Sequence, residues 1–417
     1  MRQRREKPLR VALFGQFGTG NVGNDASLLA AVGALRSYDP DVYILCLCYD
    51  PASVTQRYGL RATTIRASRV KHGSRRRPKL LRGFNRVSDF TRMYRLTRQL
   101  DMVIVPGSGL FEAGRHGPGS VASLLFSTAL AARLAGTQFV VVSTGADAAE
   151  RRSTRALLRW TLRLSTYRSF RDDYSRQSAA GFGAPCQSDP VYPDLVFGLE
   201  PSAKRVVQNP QPESVGIGVI AYHGPFSYDK PEIRDPVAAA YLNSLTSFVE
   251  WLLSRGLRVT MFGGDLKDEE IADRVRERVL RGIPNALIDV ARPESIEDVL
   301  ALVRQVDYVV ATRYHNIVAA VMTGTPAISI NYRAKNGELL NEMGLGRFHQ
   351  PLGDLDGERL REQFIDLQRS ADDVARRMIT ESRTSRDRVE RQWSALMSTV
   401  TPKAGSGSLL KKGFCRG

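Results

Sequence analysis

Short apolar runs alternate with longer stretches in which apolar residues recur every three or four positions, and this alternation runs along the chain twice. In the first half, Val11-Ala12-Leu13-Phe14 reads as a buried strand and residues 26–35 as an Ala/Leu-rich helix. Residues 42–47 and 102–105 read as further strands, 120–135 as a helix and 139–143 as a strand again. Strands that alternate with helices predict a parallel sheet with helices on both faces. Residues 200–213 contain three prolines and almost no periodicity, which marks a linker.

Beyond it the pattern restarts. Residues 215–220 read as a strand, 241–253 as a helix, and 258–262 as a strand closed by Gly263-Gly264. Helix 268–281, strand 286–290 and helix 296–303 follow, then strand 308–310, helix 317–322 and strand 327–330. Residues 358–396 contain neither Gly nor Pro and read as a C-terminal helix. The Gly/Ser/Lys-rich end reads as disordered. The expected organisation is α/β, with two Rossmann-like domains, 8–199 and 214–400, facing a central cleft, followed by a tail at 401–417. Clefts between domains are where small ligands usually bind. A chain of 417 residues is long enough for two such cores.

Charge adds a second layer. Sixty Lys and Arg against forty-three Asp and Glu give a net charge of +17. Twelve basic residues and one acid, Asp89, lie between positions 66 and 98. Arg151, Arg155, Arg159 and Arg163 recur every four residues, which on a helix makes one basic stripe beside Leu157, Leu158 and Leu162. One reading is a solvated surface. The other is attraction to a polyanion: an acidic membrane face, a lipid-phosphate acceptor or nucleic acid. No zinc finger, RNA-binding aromatic motif or basic-zipper pattern accompanies the charge, so nucleic acid is not an expected partner. No apolar run reaches the roughly 18 residues of a membrane span, and no signal-peptide core follows the basic start. Cys46, Cys48, Cys186 and Cys415 lack zinc spacing and read as reduced thiols of a cytoplasmic protein; no metal site is expected.

Two segments carry candidate chemistry. Residues 15–25 (GQFGTGNVGND) follow the first strand and open the first helix, with Gly18, Gly20 and Gly23 in G-x-G-x-x-G spacing. A dinucleotide loop would want an acid at the end of the second strand. Asp50 is placed about right, but Tyr49-Asp50-Pro51 starts a loop. The other reading is a tight turn with Asn24 or Asp25 as helix N-cap. The second segment is Arg313-Tyr314-His315-Asn316, then Gly324-Thr325-Pro326, then Asn331-Tyr332-Arg333-Ala334-Lys335. It puts Arg313, His315 and Lys335 at the ends of two apolar runs. In an α/β sheet those ends border the ligand crevice. An Arg, a titratable His and a Lys together suit a small, highly charged anion that must also be protonated, such as a phosphorylated carboxylic acid. The plainer readings are a salt bridge from Arg313 to Asp307 or Glu338, a helix-start histidine at His315 and a solvated Lys335.

Four segments, in order, resemble the polysaccharide pyruvyl transferase family. They are Gly20-Asn21-Val22-Gly23-Asn24-Asp25-Ala26, Phe170-Arg171-Asp172-Asp173-Tyr174-Ser175, Asp194-Leu195-Val196-Phe197, and the block from Arg313-Tyr314-His315 to Lys335. The resemblance covers residues 9–346. It departs at Gly23-Asn24-Asp25, where the family often has Gly-Asp-Glu, at Leu195 in place of a frequent Pro, and at Pro106-Gly107-Ser108-Gly109, one glycine short of the usual run. The resemblance implies a glycosyltransferase-B-like fold. It implies transfer of a pyruvyl group from phosphoenolpyruvate, as donor substrate and with no cofactor, to sugar hydroxyls of an exopolysaccharide or cell-wall glycan, usually as a cyclic ketal.

On that basis His315 is expected to act as general acid or proton shuttle, because its ordinary pKa lies near neutrality. Arg313 would clamp the donor's carboxylate or phosphate bidentately, and Lys335 would give a second contact to the phosphate. Gly18, Gly20, Asn21, Gly23 and Asn24 would line the donor or acceptor side. His223, after the first strand of the second domain, would face the same cleft. Asp172 and Asp173 read as helix caps, with one of them a candidate base. The acceptor would be a sugar or lipid-linked oligosaccharide, with peripheral contact to an anionic membrane at its inner face. Two rivals remain: a nucleotide-sugar-dependent glycosyltransferase of the same fold, with Glu338 recruited to hold a ribose, and a non-catalytic glycan-binding protein.

Overall fold

The computed structural model describes residues 8–66, 79–107, 109–112, 121–149, 151–200, 213–222, 236–332 and 334–399. The linker interior (201–212), the tail (401–417), His223, Arg333 and the side chain of Lys335 lie outside the described residues.

The chain forms two compact units. The first contains β1 (Arg10–Phe14), α1 (Val22–Tyr38), β2 (Tyr43–Cys48), α2 (Pro51–Tyr58), β3 (Arg61–Thr64) and α3 (Lys79–Thr97). It continues with β4 (Met102–Pro106), α4 (Val121–Leu134), β5 (Gln138–Thr144), α5 (Arg152–Leu164), β6 (Tyr167–Phe170) and α6 (Asp173–Gly181). Its six strands are all parallel, in the order β3-β2-β1-β4-β5-β6. The central strands are buried on both faces, which is why β4 and β5 read as continuous apolar runs. Val103, Val105, Phe139 and Val141 pack with Leu125, Leu158 and Phe170 in one core.

The second unit repeats the plan. It contains β7 (Ser214–Gly218), α7 (Pro236–Ser254), β8 (Arg258–Phe262), α8 (Glu269–Gly282), β9 (Ile288–Ala291) and α9 (Ile296–Gln305). Then come β10 (Tyr308–Ala311), α10 (Tyr314–Thr323), β11 (Ala327–Asn331), α11 (Ala334–Glu342), β12 (His349–Pro351), α12 (Gly357–Arg369) and α13 (Ala371–Ser398). The sheet order is β12-β11-β10-β7-β8-β9, again all parallel. Both sheets therefore share one strand order and reverse direction once, between β1 and β4 in the first and between β7 and β10 in the second. Ligands of open parallel sheets bind outside the carboxyl ends of the strands at such reversals.

Several expectations need correction. The Gly- and Pro-free stretch 358–396 is two helices, not one: the break falls at Ser370, whose hydroxyl donates back to the Asp366 carbonyl at 2.7 Å. The units are not contiguous in sequence either. Residues 20–26 group with the second unit, and the chain from Arg388 onward groups with the first. In the first unit, Gln392 of α13 is fully buried, accepts at Oε1 from the Ser143 hydroxyl at 2.9 Å and donates from Nε2 to the Ser169 hydroxyl. Ser143 sits at a register shift in β5 with φ of 45°, and its N–H donates to the Ser169 hydroxyl at 2.8 Å. This polar network satisfies the Ser143 N–H at the bulge.

Asp50 starts a helix and not a loop. It caps α2, accepting from the Ser53 N–H at 3.1 Å, with Pro51 in the first turn.

Candidate functional site

The first helical turn of α10 sits where β7 and β10 are neighbours, at the carboxyl end of both strands. Arg313 is the N-cap residue and His315 follows two positions later, so both lie at the positive end of the helix. Arg313 does not pair with Asp307 or Glu338. Its Nε and Nη2 donate to the two carboxylate oxygens of Asp268 at 2.8 and 2.7 Å. The Asp268 side chain is wholly buried, and it also accepts the backbone N–H groups of Ala221 (2.9 Å) and Gly264 (3.0 Å). Burial by itself would push the Arg313 guanidinium down; the charge and hydrogen bonds of Asp268 outweigh it and hold the group above the ordinary arginine value. One edge of the fork that was expected to grip a ligand is thus committed to Asp268. Asp307 instead accepts the Ser214 N–H at 2.8 Å, at the opposite end of β7.

The turn after β8 is built for this pair. A Cβ at Gly263 would come within 2.7 Å of the Asp268 Cβ, and one at Gly264 would touch Arg313 and Asn316 at 3.4 Å. Below it, Thr312 is fully buried and lies 3.0 Å from the Tyr241 hydroxyl, whose pKa burial pushes up to about 12. That hydroxyl therefore acts as a neutral hydrogen-bonding strut.

Residues 20–26 reach this same place. The Val22 N–H donates to the Gly264 carbonyl at 3.0 Å, and Asn21 bridges to Asp265, its Nδ2 donating to the carboxylate at 3.0 Å. Asn21 Oδ1 accepts from the Asn24 N–H at 3.2 Å. Asn21, and neither Asn24 nor Asp25, therefore plays the capping part at the start of α1. Gly20 has φ of 82° and lies against Leu266. Gly23 lies against the His315 imidazole: a Cβ there would sit 2.0 Å from Nδ1. The glycine is needed because the histidine ring occupies the space a side chain would fill. Gly18 groups instead with the first unit, where φ of 75° and the nearby Asp50 carbonyl exclude a side chain.

Gly23→Ala should accordingly lower kcat by about 10²-fold, the scale of an ångström-sized misplacement of a reacting group. Ala is the better helix former, so a loss of activity with no loss of melting temperature would separate displacement of His315 from damage to α1. Gly33→Ala on the same helix meets nothing within 4 Å and serves as the control with normal activity.

Of the expected site residues, then, Arg313, His315, Gly20, Asn21, Gly23 and Asn24 are gathered in the second unit, and Gly18 is not among them. Asp265 and Asp268 were missed. The Gly263-Gly264 turn after a strand was a visible signal, but an acid at a helix start is too common to single out Asp268. Gly324-Thr325-Pro326 is structural. Gly324 ends α10 with φ of 70°, and the Thr325 hydroxyl donates to the Val303 carbonyl at 3.1 Å.

The other two motif segments meet in the first unit. Arg171 is buried at the end of β6 and pairs with Asp194 (3.3 Å), Glu112 (3.1 Å) and Asp172 (3.4 Å). Asp172 also caps α6, accepting the Ser175 N–H at 2.6 Å. Among the described residues, no group of three or more His, Cys, Asp or Glu could hold a metal ion.

His349 accepts at Nδ1 from Asn331 Nδ2 at 3.1 Å; Asn331 Oδ1 in turn accepts from Ser329, so the amide must donate. Burial, aided by Arg359 and opposed by Glu338, lowers the His349 pKa below its usual 6.5. The neutral ring is the native form. Its contribution to stability is complete above about pH 6.5 and is lost as pH falls through the lowered native value. Urea midpoints measured across that range should fall less steeply for His349→Gln than for the parent chain.

A model of the polysaccharide pyruvyl transferase family matches residues 21–333. No curated protein matches the chain by sequence. Among solved structures, a glycosyltransferase from Rickettsia africae is similar with a TM-score of 0.62 at 10% identity, covering 94% of this chain and 99% of that one. A UDP-GlcNAc 2-epimerase from Neisseria meningitidis, bound to UDP-GlcNAc, gives 0.60 at 11% identity, covering 93% and 99%. HepE from Anabaena, in complex with UDP and glucose, gives 0.59 at 12% identity, covering 94% and 100%. At such identities the likeness concerns the fold. The family match spans most of the sequence and contains Asn21, Gly23 and Asn24 together with the Arg313–His315 turn they meet in the second unit; the chain belongs to the polysaccharide pyruvyl transferase family and is a transferase.

Proposed function

We propose that the protein transfers the pyruvyl group of phosphoenolpyruvate to two hydroxyls of one sugar in an exopolysaccharide or cell-wall glycan, closing a cyclic ketal. The observation that carries this reading is the pairing of a guanidinium held charged by Asp268 with an imidazole packed on Gly23, at one helix N-terminus beside a strand-order reversal. Phosphoenolpyruvate is an enol phosphate. A proton delivered to its methylene carbon leaves an oxocarbenium-like centre at the adjacent carbon. One hydroxyl oxygen bonds to that carbon and gives up its proton, phosphate departs with the C–O bonding pair, and the second hydroxyl closes the ring with loss of its own proton. The products are the ketal and inorganic phosphate.

His315 supplies the first proton. Arg313, with one edge on Asp268, offers its remaining N–H groups to the donor's carboxylate or phosphate, aided by the dipole of α10. Lys335 contributes a second charge to the phosphate. Gly20, Asn21, Gly23 and Asn24 shape the wall beside His315. The acceptor is a sugar or lipid-linked oligosaccharide met in the cytoplasm at the inner membrane face. No helix among the described residues is long and apolar enough to cross a membrane.

Incubation with phosphoenolpyruvate and a panel of galactosyl, glucosyl and mannosyl acceptors, followed by mass spectrometry, tests the proposal: a pyruvate adduct with release of one phosphate is the expected product. Thermal shifts distinguish the nucleotide-sugar rival. A ligand that binds only the folded state raises its melting temperature, so stabilisation by phosphoenolpyruvate and not by UDP is expected, and the reverse would overturn the reading.

A further inference from the structure

The arginines of α5 form a cationic face on the first unit that the reaction chemistry does not use. Thr154, Leu158, Thr161 and Leu162 turn inward, while Arg151, Arg152, Arg155, Trp160 and Arg163 are exposed. Trp160 is 46% exposed, and the guanidinia of Arg159 and Arg163 lie 5.9 and 5.4 Å from its ring centroid. Tryptophan, with an apolar ring and a polar N–H, is favoured where one side is apolar and the other wet.

Neither α5 nor α4 carries an acid, and α3 carries only Asp89. Among the described residues, no carboxylate pairs with Arg151, Arg152, Arg155, Arg159 or Arg163. Like charges every four residues repel one another on a bare helix. That repulsion is relieved when an anionic surface covers them. α3 packs on α4 and α4 on α5, so the three form one layer over the sheet. The layer adds exposed Arg95 and Val87 (67%) on α3, and exposed Arg133 and Leu134 (61%), adjacent in sequence, on α4.

We infer that this layer docks the protein on an anionic phospholipid bilayer, with Trp160 seated at the headgroup level and the surrounding arginines on lipid phosphates. An indole flanked by two guanidinium groups, on a layer that also exposes aliphatic side chains, matches an interface that is charged at its surface and apolar just beneath. A phosphodiester backbone would use the arginines but would leave Val87 and Leu134 without a role. The inference goes beyond the proposed reaction and does not depend on the identity of the donor.

The full chain is mixed with vesicles of phosphatidylcholine alone or with phosphatidylglycerol added, and bound protein is sedimented. Binding to the anionic vesicles only, lost near 1 M salt where charges are screened within about 3 Å, is expected. Arg155→Glu with Arg163→Glu should lower vesicle binding at least tenfold while circular dichroism stays unchanged. In vesicles of brominated lipid the tryptophan emission should be quenched, and Trp160→Phe should remove that quenching although Trp251 and Trp393 remain. His315→Ala should bind vesicles as the parent does, which keeps this test separate from that of the reaction. Equal binding to neutral vesicles, charge-reversed protein that binds as the parent does, or unchanged quenching in Trp160→Phe would overturn the inference. So would duplex DNA binding tighter than the anionic vesicles and indifferent to Trp160, which would make the face a nucleic-acid surface.

Discussion

His315→Ala is expected to lower kcat for pyruvyl transfer by 10²-fold or more, with the melting temperature held near that of the parent chain. General acid catalysis by a placed side chain contributes about 10²–10⁴-fold, and no other histidine in the described residues lies at the turn that carries Arg313. The half-buried ring packs on Gly23 and makes an edge-on contact with Tyr314, centroids 5.3 Å apart. Its removal therefore leaves the β7–β10 pairing and the α10 helix in place. Steady-state rates with phosphoenolpyruvate as the varied substrate decide the matter. A variant that keeps kcat while its KM rises would make His315 a binding group and not the acid.

Asp268→Ala should have the largest effect on stability, about 3–5 kcal/mol, the usual consequence of removing one partner from a buried ion pair. The wholly buried carboxylate satisfies Arg313 twice and two backbone N–H groups besides. Truncation strands all four donors. Asp268→Asn keeps the shape and some of the hydrogen bonds but no charge, so it should unfold less readily than the alanine variant while still weakening donor binding through a misaligned Arg313. Urea unfolding of both variants, beside KM for phosphoenolpyruvate, provides the check. Equal stability of parent and Asp268→Ala would mean that solvent reaches the Arg313 fork and that the pair contributes little.

These two expectations bear on different parts of the same turn. In the proposed reaction His315 acts on the substrate, whereas Asp268 acts on Arg313. Between them stands the loop from β8, which also holds Asn21 through Asp265 and so fixes Gly23 beside the imidazole. The glycine-rich segment thus serves the second unit through its backbone and its lack of side chains. G-x-G-x-x-G spacing after a first strand usually suggests a phosphate-binding loop. In this chain Gly20 and Gly23 are accounted for by Leu266 and His315, the residues they face.

Much of the fold could be read directly from residue order. Val103-Ile104-Val105 and Val140-Val141-Val142 can only be strands buried on both sides, because such runs have no polar face to give to water, and the helices between them force parallel pairing. The position of Arg313 and His315 was legible for a related reason: polar, chargeable residues that directly follow a buried strand stand at the sheet's carboxyl edge. The tertiary structure alone decided the rest. Nothing local marks Asp268 as the partner of Arg313, since the two are 45 residues apart and a carboxylate at a helix start has an ordinary capping explanation. Nor does Gly23 reveal in the sequence that its missing side chain makes room for a histidine nearly three hundred positions away. Periodicity reports which face of an element is buried; which ion meets which, and which glycine yields space to which ring, follows only when strands distant in sequence become neighbours in a sheet.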